Sequence, residues 1–198
     1  MAPEENRYMD LLSIHDEAAV LPKIKQLASD LSDKEHLIRS CIFDLHAAVE
    51  IELRRIFFFH FETLLFLTGN KEENSKVKKR FEKMIDRIQF LEMWKILRCV
   101  MVDWAPDFEN IPKINETRNQ AAHGEINKVF YKDRSPFKYP DCLCQMYFDV
   151  WAIKQKIPDF FDKMRLPYYQ CREYYKKYGY IAISEDTVKE IDSFYDEH

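Results

Sequence analysis

SDKEHLIRSCIFDLHAAVEIELRRIFFFHFETLLFL, residues 32–67, is the stretch whose reading sets the fold class. Leu37, Ile38, Cys41, Leu45, Ala48, Val49, Leu53, Ile56, Phe57, Leu64 and Leu65 recur three or four residues apart, which is the spacing of one face of a helix. Ser32 followed by Glu35 spells a capping box at its start, and Gly69 is a natural stop. A helix from Asp33 to Leu67 would be roughly 50 Å long at 1.5 Å per residue. A helix of that length is either kinked or extends into an oligomer.

The flanking sequence is helical too. Residues 1–13 read as a polar lead-in, and Ile14 to Ser29 as a first helix that Pro22 should break. Beyond the loop at residues 69–73, Asn74 or Ser75 caps a third helix with a stripe of Phe81, Met84, Ile85 and Ile88. A more apolar helix, Phe90 to Val102, carries Trp94 and is either separate from the third or continuous with it. Residues 103–107 form a loop. Asn110 then caps a helix with Pro112 in its first turn, and Gly124 closes it. Residues 125–140 read as a linker, and Asp141 to Lys156 as another helix. Shorter helices follow at Pro158 to Met164, Pro167 to Tyr178 and after Ser184. The expectation is a single all-α domain over residues 1–198.

Composition narrows the function. The chain has 198 residues, a net charge of −4, and only three glycines, Gly69, Gly124 and Gly179. So few glycines exclude a glycine-rich phosphate loop and a hairpin-rich β fold. There is no Walker motif, no Gly-x-Ser-x-Gly and no dinucleotide fingerprint. Nucleic-acid binding would need a local basic patch. Lys71 to Arg98 holds nine Lys/Arg against five Asp/Glu, as either a solvated helix face or an RNA-facing surface. Lys113 to Lys138 holds six against three, and Ser184 to His198 is acidic, with six acids and one lysine. Five cysteines, Cys41, Cys99, Cys142, Cys144 and Cys171, do not form a secreted disulfide pattern. The polar N-terminus is no signal peptide, and the longest apolar run, near Ile56–Leu67, is too short to span a membrane. The expected location is cytoplasmic, with no membrane partner.

The segment with plausible chemistry is Arg118-Asn119-Gln120-Ala121-Ala122-His123, closed by Gly124. Arginine binds phosphate with a planar fork, and histidine exchanges protons near neutral pH. Asn119 adds an amide that can touch phosphate or orient a neighbour, and the two alanines keep the segment slim. Arg118 pairing with Glu116, and His123 merely closing a helix end, are the plainer alternatives. Residues five apart on a straight helix point about 140° away from each other. Either the helix unwinds before Gly124, or a site using both side chains takes them from two copies.

Arg118-Asn119-x-x-x-His123 resembles the Arg-x(4–6)-His motif of the HEPN superfamily in its form with Asn after Arg. The context is similar as well: a long early helix containing His46-Ala47-Ala48-Val49-Glu50, with the motif about 70 residues later. The resemblance covers about residues 30–160, with 161–198 as a helical C-terminal extension. It implies a compact helical bundle that homodimerises, so that two motifs build one composite site. It implies a metal-independent endoribonuclease without cofactor, of the kind found in toxin–antitoxin, antiviral-defence and RNA-processing systems. An inhibitory partner protein belongs to the toxin type. In that reading the catalytic residues are Arg118, Asn119 and His123, with Lys113 and Lys128 on the RNA phosphates. The alternative is a non-catalytic module of the same kind that binds RNA, a nucleotide or a partner protein. One toxin branch carries Tyr two residues after the histidine, where an antitoxin attaches nucleotides; here Glu125 stands there.

Other clusters carry less. Cys142-x-Cys144 is half a zinc pattern without a second pair. His46 and Glu50 are one turn apart and suit either a hydrogen-bonded pair or metal ligands. Glu50, Arg54 and Arg55 would border the composite site if the long helix lay on the dimer axis. Tyr168, Tyr169, Tyr174, Tyr175, Tyr178 and Tyr180 suit base stacking or packing.

Overall fold

The computed structural model describes residues 9–68, 79–80, 83–100 and 105–158. It is an all-α protein. Among the described residues the helices are α1 (Glu17–Asp30), α2 (Glu35–Thr68), α3 (Phe90–Val100), α4 (Ile111–His123) and α5 (residues 140–158), with helical residues also at 79–80 and 83–85 and short 3-10 turns at Met9–Ser13, Pro106–Asn110 and Ile126–Lys128. Among the described residues the one β-type pairing outside the helices is an isolated bridge, Tyr131 with Arg134. The chain divides into two compact units, Met1–Glu52 with Trp94–Gln155, and Leu53–Met93 with Lys156–His198.

The long helix forms as its pattern predicts, 34 residues without interruption. Its start differs. Asp33 adopts a left-handed backbone, φ 65°, which ends the turn Leu31–Asp33 and prevents Ser32 from opening the helix. The helix begins two residues later, with Leu37 and Ile38 N–H donating to the Lys34 carbonyl. The capping box is therefore not made.

α1 also departs from expectation, because Pro22 sits inside an unbroken helix. A proline there removes the bond to the Ala18 carbonyl. Ala18 and Pro22 both lie on the exposed side, where water can take that carbonyl. The start is fixed by Asp16, whose carboxylate accepts from Ala18 N–H at 2.9 Å. The preceding 3-10 turn is docked on α5: Trp151 Nε1 donates to the Ile14 carbonyl at 2.6 Å, and Gln155 Nε2 to that of Leu12 at 3.2 Å.

In the first unit Ile38, Cys41, Ile42, Leu45 and Val49 of α2 are buried, as are Ile111, Ile114, Thr117 and Ala121 of α4 and Leu143, Met146, Tyr147 and Val150 of α5. Burial, with the Asp44 carboxylate nearby, pushes the Cys41 thiol up to about 12, so it is a neutral packing group. Trp94 of α3 donates to the Phe108 carbonyl at 3.3 Å, and Arg98 bridges Glu109 at 3.2 Å. In the second unit Leu53, Ile56, Phe57, Ile85, Phe90 and Met93 are buried. Residues 83–85 are helical, the chain turns at 86–88, and α3 starts afresh, so the two helical stretches are not continuous. Arg54 explains the break: its guanidinium takes the carbonyls of Ile85 and Ile88, which a continuing helix would have used. The cap at Asn74 or Ser75, Phe81, and everything after residue 158 lie outside the described residues.

The expected linker is a packed strap. Lys132 and Asp133 both have positive φ, 47° and 68°, which is the backbone of a tight two-residue turn between Tyr131 and Arg134. Val129, Tyr131, Ser135 and Pro136 are buried. Tyr131 donates its hydroxyl to Asp149 Oδ2 at 2.5 Å, Lys132 Nζ reaches the same oxygen at 2.6 Å, and Gln145 holds Oδ1 at 3.0 Å. Burial and the Asp149 carboxylate raise the Tyr131 phenol above its ordinary range, which keeps it a donor.

Asp149 is thus the anchor of the strap on α5. Replacing it leaves a buried Tyr131 hydroxyl without its acceptor. Urea denaturation is expected to show Asp149→Ala losing about 2 kcal/mol, and Tyr131→Phe, which leaves Asp149 with Lys132 and Gln145, about 1 kcal/mol.

Candidate functional site

α4 is polar, and four residues on one side, Ile111, Ile114, Thr117 and Ala121, are fully buried. Pro112 sits in its first turn as expected, but Asn110 contributes no side-chain cap. What sets the helix in place is its seam with α2. Arg39 donates to the Ala121 carbonyl. The Arg118 guanidinium lies over the Phe43 ring, 5.4 Å from its centroid. His46 Nε2 and Asn115 Oδ1 are 3.1 Å apart. The three rungs run in opposite senses, 39, 43, 46 against 121, 118, 115, so the two helices are antiparallel and in register by one turn per rung.

Arg118 is half-buried on this seam, and its Nη1 donates to Asn119 Oδ1 at 3.1 Å. Asn119 therefore orients the arginine and is itself exposed. His123 is exposed in the last turn. Among the described residues it makes no side-chain hydrogen bond. α4 stays helical through His123, so the unwinding that would align the two side chains does not occur. Arg118 and His123 of one copy remain on different sides of the helix, about 140° apart.

The end of α4 is made by Gly124. Its N–H donates to the Gln120 carbonyl at 2.7 Å, and a Cβ there would come within 2.5 Å of that oxygen. Glycine is required for the close approach, since its backbone is an ordinary extended one. The strap is tied to the same helix. Phe130 N–H donates to Gln120 Oε1 at 2.7 Å, and the buried Thr117 hydroxyl lies 2.7 Å from the Phe130 carbonyl and 2.8 Å from that of Lys113.

The basic residues expected on phosphate are partly committed. Lys113 pairs with Glu116 at 3.1 Å, and Lys128 with Glu125 at 3.4 Å. Lys113 precedes Arg118 by five residues and so faces another side of α4. Arg54 is engaged in the second unit by the carbonyls of Ile85 and Ile88. Cys142 donates to the carbonyls of Tyr131 and Arg134 at 3.4 and 3.2 Å, and burial pushes its thiol up to about 11. It serves as a neutral donor to the strap. Among the described residues no three His, Cys, Asp or Glu side chains converge as metal ligands.

His46 is a buried member of the seam that the sequence offers only as a pair with Glu50. Burial lowers its affinity for a proton; the Asn115 hydrogen bond and Glu50, at 3.8 Å, oppose this, and Arg118 adds to it. Arg39 and Phe43 do not stand out in the sequence. Their signal is the 39, 43, 46, 50 stripe of non-aliphatic residues alongside the aliphatic one.

Since the folded His46 binds a proton less readily than the unfolded, its contribution to stability is full above pH 6.5 and is lost as pH falls below that value. Between pH 7.5 and 5.5 the urea midpoint is expected to fall more in the native chain than in His46→Gln. Gly124→Ala is expected to cost about 1–3 kcal/mol in the same assay, by forcing the last turn of α4 apart. Searches against family models, curated proteins and solved structures found no match to this chain.

Proposed function

We propose that the chain is a metal-independent endoribonuclease of the HEPN type, working as a homodimer with Arg118, Asn119 and His123 of both copies in one composite site. The observation that carries this reading is the straight end of α4. It leaves the half-buried Arg118 and the exposed His123 about 140° apart on one helix. A single copy does not bring them to one phosphate, and a second copy related by a two-fold axis can.

The chemistry then uses the substrate's own nucleophile. His123 of one copy takes the proton of a ribose 2′-OH as its oxygen attacks the adjacent phosphorus. Arg118 binds the non-bridging oxygens and stabilises the charge that grows on them. The bond to the 5′-oxygen breaks, and that oxygen receives a proton from the His123 of the other copy. The products are a 2′,3′-cyclic phosphate and a 5′-OH. DNA lacks the 2′-OH, so the reaction is selective for RNA. Asn119 holds the arginine fork in the plane that meets phosphate.

Chelator-treated protein is expected to cleave single-stranded RNA, and Arg118→Ala or His123→Ala to lower the rate by a factor of about 100 or more, with Arg118→Ala also losing about 0.5–1 kcal/mol of stability with its contact to Phe43 and His123→Ala leaving the urea midpoint unchanged. Equal cleavage by both variants sinks the assignment. Binding without turnover, lost on Arg118→Ala, would instead make the motif a ligand clamp in a non-catalytic module.

A further inference from the structure

The α2–α4 seam has one open side, and its rungs say which residues stand there. Each next residue on a right-handed helix is turned by about 100°, and on two antiparallel helices that turn carries both to the same side of the pair. Ser40 and Asp44 follow the rung residues Arg39 and Phe43 on α2, and Asn119 and Ala122 follow Arg118 and Ala121 on α4. These four therefore share a side, and none of them is buried. Ile38, Ile42, Ile114 and Thr117, which precede rung residues, lie on the other side and are buried. His36 is exposed one turn before Ser40, and His123 is exposed one turn after Asn119, so both belong to the open side.

We propose that a second copy of the chain docks on this open side, about a two-fold axis that passes at Ser40. The proposal rests on the composite-site reading and names the surface that reading needs. For Arg118 of one copy and His123 of the other to reach one phosphate, the two must come level along α4. A two-fold axis at right angles to the helix brings them level where it crosses midway between them, between Gln120 and Ala121. The seam sets Ala121 beside Arg39 and Arg118 beside Phe43, so the same level on α2 is that of Ser40. A two-fold interface pairs residues that lie equally far from the axis. His36 and Asp44 stand four residues to either side of Ser40, about 6 Å along the helix. The dimer thus sets a His36 N–H of each copy against the Asp44 carboxylate of the other, a matched pair made twice. Ser40 and Ala122 stand beside the axis, and their short side chains leave room for the helices to approach. Glu116 and Glu125 also come level, and each is paired within its own copy, with Lys113 at 3.1 Å and Lys128 at 3.4 Å. The level that the chemistry requires is read from α4 and the level at which the charges match is read from α2, and they coincide.

The test is disulfide trapping and sedimentation equilibrium of the full chain. In a Cys99→Ser background, which removes an exposed native thiol, Ser40→Cys is expected to give a covalent dimer on mild oxidation, seen on a non-reducing gel. Lys23→Cys, exposed on α1, is the control expected to stay monomeric on that gel. His36→Glu is expected to weaken the dimer by about tenfold, because it sets two carboxylates against each other twice. His36→Glu combined with Asp44→Lys is expected to return it to within about threefold of the native chain. His36 and Ser40 are exposed, and unchanged urea midpoints would show that their variants fold. A dimer that Ser40→Cys does not trap, or that His36→Glu leaves as tight as the native one, overturns the proposal. If that dimer still cleaves RNA in an Arg118-dependent way, the surface fails and the nuclease reading stands. If Ser40→Cys traps the dimer and the native chain cleaves no RNA, the surface stands and the nuclease reading fails. A native chain that stays monomeric overturns the surface and the composite site together.

Discussion

The antiparallel seam between α2 and α4 is the constraint on which the site depends. α4 is too polar to be held by apolar packing alone, since its fully buried side chains are those of Ile111, Ile114, Thr117 and Ala121, and the last two bring little apolar surface. Three unlike contacts supply the register: a guanidinium on a helix-end carbonyl, a guanidinium over a ring, and an imidazole with an amide. A slip by one residue would turn each of them out of reach at once, because one step on a helix is about 100°. The Arg39 contact has a second role. The Ala121 carbonyl is among the last four of α4, which lack a regular partner inside the helix, and a cation there also favours the negative end of the helix dipole. The seam thereby keeps α4 helical to His123.

The opposite side of α4 is held by the strap. Thr117 and Gln120 fix Phe130, while Asp149 and Cys142 of α5 fix Tyr131 and the turn that follows. α4 is thus clamped between α2 and a segment that α5 holds in place. Gly124 makes the clamp possible, since any larger residue would collide with the Gln120 carbonyl and move the chain that enters the strap. The exposed sector left between the two clamps is the one with Asn119 and His123.

The all-α class, the long second helix and the Pro112-to-Gly124 helix are legible in the sequence, because each rests on a period or a local stop. Ser32 and Glu35 spell a capping box, but Asp33 between them takes a left-handed backbone that the pattern does not encode. Pro22 predicts a break in α1, and the helix tolerates it on a wet face. Charge counts do not show which cations are paired. Lys113 and Lys128 add to a basic total, yet each meets an acid three residues from it. The strap reads as a linker because its anchors, Asp149 and Cys142, lie in another element. Arg39 and Phe43 escape a sequence reading for a similar reason: they sit in the long helix's stripe, and their partners are some 80 residues away.

The spacing of the motif acquires a physical meaning from the seam. Were the histidine four residues after the arginine, both would share a face, and the seam that holds Arg118 against Phe43 would draw the histidine toward α2. One residue more rotates it by about 100° into the open sector. Ala121 is buried and serves the close approach of Arg39, whereas Ala122 is partly exposed and adds little bulk between Arg118 and His123. A two-fold axis makes the same patch meet itself, so that what one copy presents the other receives. In the proposed dimer each copy then contributes a rigidly seated cation from its seam and an exposed imidazole from its open sector. That is the division of labour an RNA transesterification needs: a fixed charge for a phosphate whose position must not change, and a proton carrier that must.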